Sequence, residues 1–163
     1  MNATRRTILY ATPAFLAACG TTGTVDVTQA IADAGIITNG IAGVVQSLVT
    51  LGRISPAQQI SIAGYISTAR IAQAQLSASA SALNNVTNLQ GVEDAINAAL
   101  PILSAIPGLP PEITVGIVAA QVLLPIIEAT IAQLLNKPPK VSAARQAMSP
   151  DSARAVLLKA AGR

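Results

Sequence analysis

The residues able to carry out chemistry are few. Cys19 is the only cysteine and there is no histidine. A lone thiol can form neither an internal disulfide nor a thiolate metal site. Without histidine, the usual general base, metal ligand and near-neutral pH switch are missing. Glu93 and Asp94 are adjacent, and neighbours along a helix do not face each other, so they make a poor acid–base pair. They suit the positive end of a helix dipole, as does Glu112. Glu128 lies in an apolar run and is the one carboxylate with a prospect of partial burial, although an exposed helical position is the expectation. Serines are plentiful, but no G-x-S-x-G elbow accompanies them. The lysines able to activate one, Lys137, Lys140 and Lys159, are far away in sequence, near the C-terminus. No phosphate loop or dinucleotide fingerprint occurs. The expectation is a chain that is not an enzyme, with no catalytic residue, metal site or cofactor.

The lone thiol sits in a telling place. The chain opens MNATRRTILYATPAFLAACG. Arg5 and Arg6 precede an uncharged run from Thr7 to Ala18, too short to span a bilayer and suited to a signal-peptide core. The run ends in Leu16-Ala17-Ala18-Cys19, an aliphatic residue and two small residues before the cysteine. This resembles the lipobox of bacterial lipoprotein precursors. The resemblance covers the leader and cleavage site only. It implies diacylglycerol on the sulfur of Cys19, cleavage before it, and an extracytoplasmic, lipid-anchored protein. Gly20 in place of Asp favours the outer membrane in a diderm host. Thr4-Arg5-Arg6-Thr7-Ile8-Leu9 also resembles a twin-arginine export motif, though two arginines equally serve an ordinary leader. Each buried acyl methylene contributes about 0.8 kcal/mol, so two or more chains hold a protein on a membrane durably.

Behind the leader, the elements follow from periodicity. Residues 20–25 form a small polar tether. Val27, Ala30, Ala34, Ile37, Ile41, Val44, Leu48 and Leu51 recur at three-four spacing and predict a helix over 27–51 with Gly52 as its stop. Gly35, Gly40 and Gly43 permit close helix approach there. Ser55-Pro56-Ala57-Gln58 reads as a capping box with proline at the first helical position, opening a helix to about Leu83. A turn is expected at 84–88, then a helix over 89–105 that Pro101 bends or ends. Pro107 to Pro111 is a loop, and a fourth helix is expected over 112–135 with Pro125 inside it. Ser149-Pro150-Asp151 starts a short last helix, with Ala153, Val156, Leu157 and Ala160 on one face. The fold class is therefore all-α: an antiparallel four-helix bundle after an N-terminal signal segment, with a short C-terminal helix. The divisions are 1–18 signal peptide, 19–25 lipid-bearing tether, 26–136 helical bundle, and 137–163 basic tail.

Charge is sparse and uneven. Charged residues are 10% of the chain and hydrophobic ones 52%, which excludes disorder as the main state. Residues 20–136 carry two cations against six anions, a net −4. Residues 137–163 carry Lys137, Lys140, Arg145, Arg154, Lys159 and Arg163 against Asp151, a net +5. Those six cations are candidate contacts for an anionic surface or an acidic envelope protein. Nucleic acid is not expected as a partner, because aromatic residues do not interleave with the basic ones.

Two functional classes remain open. The first is a non-enzymatic, membrane-anchored lipoprotein acting as a helical scaffold or interaction module of the cell envelope. The second is a membrane-active protein, a pore-former or phage-lysis component, whose apolar helices partly insert. The first and fourth helices are apolar enough for either.

Overall fold

The computed structural model describes residues 27–78, 82–137 and 148–162. These form five helices, and no strand occurs among the described residues: α1 (Val27–Thr50), α2 (Pro56–Ala78), α3 (Ala82–Ser104), α4 (Pro111–Leu134) and α5 (Pro150–Ala160). The fold is all-α, as the three-four spacing predicted.

The local signals that open and close these helices are visible as hydrogen bonds. At the head of α2, the Gln58 side chain accepts from the Ser55 backbone N–H at 3.0 Å, and the Ser55 hydroxyl accepts from the Gln58 N–H at 3.3 Å. These are the two reciprocal bonds of a capping box. At the head of α5, the Ser149 hydroxyl accepts from the Ser152 N–H at 3.2 Å. Gly52 closes α1 at φ +62°, and the Arg53 N–H reaches back to the Leu48 carbonyl at 2.9 Å. Only glycine adopts that backbone without strain.

Two boundaries differ from expectation: α2 ends at Ala78 and not near Leu83, and α3 starts well before residue 89. The segment 84–88 is not a turn, because α3 begins at Ala82. Val86 and Leu89 explain the difference: both are buried and continue the stripe of Val92, Ile96, Ala99 and Leu103. Asparagine costs a helix roughly 0.7 kcal/mol at most, whereas burying a large aliphatic side chain contributes about 1.5–3 kcal/mol. Packing therefore overrides the local turn preference. A residue of the cost survives at Asn85, whose Oδ1 is buried without a hydrogen-bond partner. Nor does Pro101 end its helix, which runs on to Ser104, and α4 runs through Pro125.

Each helix from α1 to α4 packs on the next in sequence, and α4 also packs on α1. The short α5 lies against α1 and α4. The core is a single cluster drawn from all five, centred on Ile37, Ile41, Leu48, Ile62, Leu89, Ile96, Leu103, Leu123, Ile127 and Leu157. Ala153 and Leu157 of α5 are fully buried, with Val156 and Ala160 packed beside them, so the predicted apolar face of that helix is the one that docks.

Glycine sets how closely α5 approaches. A Cβ at Gly40 would stand 2.6 Å from the Leu157 side chain, and one at Gly43 would overlap the Ala160 carbonyl. At Gly116, a Cβ would press against Val44 at 3.0 Å. Gly64 contrasts with all of these, because a Cβ there meets nothing within 4 Å. Gly43→Ala is expected to push the end of α5 off α1 and to lower stability by about 1–3 kcal/mol. Gly64→Ala is expected to raise it by roughly 0.5–1 kcal/mol. Urea unfolding midpoints check both, and a shift of the same sign in the two variants would contradict this division of roles.

Candidate functional site

Among the described residues, one concentration of buried charge joins the first helix to the last. Asp33 is fully buried, with 0% exposure, on the core side of α1. Arg154, on the first turns of α5, meets it through a two-pronged contact. The Arg154 Nε donates to Asp33 Oδ1 at 2.7 Å and the Nη2 donates to Oδ2 at 2.8 Å. Gln29, one turn earlier on α1, donates from Nε2 to the same Oδ1 at 2.9 Å. The remaining Arg154 nitrogen, Nη1, donates to Asp151 Oδ1 at 2.7 Å. Both carboxylate oxygens of Asp33 are thus satisfied.

The planar guanidinium matches a carboxylate with two parallel bonds, which a lysine cannot do. The hydrogen bonds that Arg154 donates to Asp33 raise the arginine's pKa above its already high ordinary value. Partial burial opposes the rise, and the charges of Asp33 and Asp151 reinforce it. A raised folded-state pKa gives stability that is fully present below the unfolded arginine range and lost only at more alkaline pH. The cationic side of the pair is therefore constant throughout the physiological range. This arrangement positions helices; it presents no exposed reactive atom.

The placement of the predicted site residues divides. Arg154, expected among six cations facing outward, is instead turned inward and only 22% exposed. Lys159 and Lys137 are exposed. Lys140, Arg145 and Arg163 lie outside the described residues, as do Arg5, Arg6 and the lipobox Leu16, Ala17, Ala18 and Cys19. Glu128, expected at an exposed helical position, is half-buried instead. The fully buried carboxylate is Asp33, which the sequence reading passed over. The signal was there: Asp33 stands three residues after Ala30 and four before Ile37, on the predicted core stripe.

Among the described residues no group of three or more His, Cys, Asp or Glu side chains is placed to hold a metal ion. A long open groove of about 1120 Å³ runs between α1 and α2 and ends at the last turn of α5. Asn39, Gly43 and Gln46 line one wall, Arg70 and Ile71 the other, and Ala161 closes the end. Two helices have the length and apolarity of a membrane span: α1, with mean hydropathy 1.2, and α4, with 2.0. About half of each such stretch is buried inside the bundle. Comparison of the chain with protein-family profiles, curated proteins and solved structures finds no match.

Arg154→Met is expected to leave Asp33 buried without its cation and to lower stability by about 3 kcal/mol or more. Replacing both, Asp33→Leu with Arg154→Met, removes the stranded charge and is expected to lose less than the single variant. Denaturant unfolding of the two variants measures this. A loss below about 1 kcal/mol for Arg154→Met, as in an exposed ion pair, would show that the contact does not hold α5 in place.

Proposed function

We propose that this protein is a non-enzymatic helical module that works at a membrane, anchored by lipid on Cys19, with the bundle as its interaction surface. In this reading residues 1–18 are removed as a signal peptide. Helices α1 to α4 form an antiparallel up-down bundle, and α5 serves as a strut across α1 and α4. The observation that carries the membrane assignment is the apolar length of α1 and α4. The lipobox-like residues Leu16 to Cys19 support the anchor. The pairing of Asp33 with Arg154 supports a structural use of the chain's buried charge. Lys137 and Lys159 supply outward cations for an acidic envelope partner or lipid surface.

A second reading, a membrane-active protein with partly inserting helices, is favoured by α4, and α4 speaks for it more directly than for a scaffold. Its core side carries Ile113, Ile117, Leu124, Ile127 and Ile131. Its other side carries Val115, Val118, Val122 and Ile126, all at least partly exposed. With two apolar sides, interrupted by Gln121 and Glu128, the helix has more apolar surface than the bundle covers.

Cys19→Ser is expected to abolish both cleavage of the leader and attachment of lipid, read by intact mass in the native host. Normal processing of that variant would refute the anchor. Dye release from vesicles separates the two readings. Release at low protein concentration supports insertion, and intact vesicles carrying bound protein support the anchored module.

A further inference from the structure

We infer that the open side of the bundle, formed by α2 and the end of α1, is the face that lies on a bilayer rich in anionic phospholipid. The inference rests on the membrane reading above and adds to it a face and a lipid class. The first observation is apolar exposure. Ile60 and Ile71 of α2 are 74% and 59% exposed. They are eleven residues apart, about three helical turns, so they project from the same side of α2. Ala63, Gly64, Ser67 and Ala74 lie between and beside them, all exposed. Val49 and Leu51, exposed at the end of α1, extend the patch across the groove.

The second observation is charge. α2 contains no carboxylate, and the only one within α1 is Asp33, buried and paired. The acidic residues of the other described helices are Glu93 and Asp94 on α3, Glu112 and Glu128 on α4, and Asp151 on α5. Among the described residues the charge on the open side is a cation, Arg70, exposed in the wall of the groove; Arg53, also exposed, carries its guanidinium toward Gly108 in the α3–α4 connection. Projecting aliphatic side chains flanked by arginine and free of carboxylate complement anionic headgroups over acyl chains. The apolar side of α4 is a poorer match for such a surface, since Glu112 and Glu128 accompany it.

The chain contains no tryptophan, so Ile60→Trp, Ile71→Trp and, as a control on α4, Val115→Trp each give a full-length chain with a single reporter. All three positions are exposed, which spares the core. On vesicles of phosphatidylcholine with phosphatidylglycerol, the reporters at 60 and 71 are expected to shift to the blue and to be quenched by brominated lipid. The reporter at 115 is expected to remain water-like. Adding Arg70→Glu is expected to weaken the 60 and 71 signals by about tenfold in apparent partition, as is high salt. Quenching at 115 but not at 60 or 71 would overturn the assigned face and leave the membrane reading standing. Equal signals on neutral vesicles would overturn the lipid class. A shift at 60 or 71 without lipid, growing with protein concentration, would mean that a second copy covers the face and would also overturn the inference. Failure of the unsubstituted chain to sediment with any vesicle would remove the membrane reading itself and this inference with it.

Discussion

A carboxylate buried in an apolar core has to find a cation, and in this chain the cation arrives from the far end. Asp33 and Arg154 are 121 residues apart in sequence. Removing an ion from water costs several kcal/mol, which is recovered only with good geometry and full hydrogen bonding. Both conditions hold here, through two short guanidinium bonds and the Gln29 amide. The apolar contacts of α5 are modest, with Ala153 and Leu157 its only fully buried residues. An eleven-residue helix is too short to persist on propensity alone. Its position therefore depends on the charge pair and on the close seat that Gly40 and Gly43 provide on α1.

The same pair bears on how the two apolar helices can behave at a bilayer. Their buried hydroxyls are satisfied within their own helices. Thr38 donates to the Ala34 carbonyl at 2.7 Å, and Thr130 to the Ile126 carbonyl at 2.8 Å. Such bonds survive transfer from a protein core to hydrocarbon, because they need no partner from outside the helix. Asp33 is different. If α1 entered a bilayer, it would either carry an unpaired carboxylate with it or draw α5 along. Charged groups at the centre of a membrane are costly on every scale. Among the described residues no ion pair ties α4 to another helix, and its Glu128 is half-buried. Insertion, if it operates, therefore begins with α4 while α1 stays with the bundle.

How much of this was legible in the sequence depends on the range of the interaction. Short-range signals read correctly. The Ser55–Gln58 box, the Ser149 cap, the stop at Gly52 and the core stripe of α1 from Ala30 to Leu48 are all decided by residues within a turn or two of one another, whereas Leu51, expected on that stripe, lies past the helix end and is exposed. The expected turn at 84–88 failed because three asparagines suggest a local break. The deciding contribution comes from Val86 and Leu89 packing against other helices. Arg154 was read as one of six outward cations because counting charges along the tail says nothing about which side of α5 each occupies. The pair needed two observations at once: that Asp33 sits on the core stripe, and that α5 crosses α1 beside it. Only the first is available from spacing. The groove between α1 and α2 was beyond reach for the same reason, since periodicity shows which face of a helix is apolar and not how far its neighbour stands off.

That stand-off has a physical origin in α2. Its buried set, Ile62, Ile66, Ala69, Ala72 and Leu76, is narrow, and Ala72 packs close to Gly91 of α3. The stripe can serve α3 fully and leaves little to hold α1. On the α1 side, Asn39, Gly43, Gln46, Ser47 and Thr50 alternate with Val45, Val49 and Leu51 along the groove, so small and polar groups break up the apolar area offered to a neighbouring helix. A wider apolar stripe on α2 would have closed the bundle evenly and hidden Arg70 and Ile71. The narrow one holds α2 firmly to α3 and leaves an arginine, two isoleucines and a run of small side chains facing outward. The open side thus follows from the same residue choices that build the α2–α3 contact. The face offered to the surroundings is what remains once the stripe of α2 has been spent on a single neighbour.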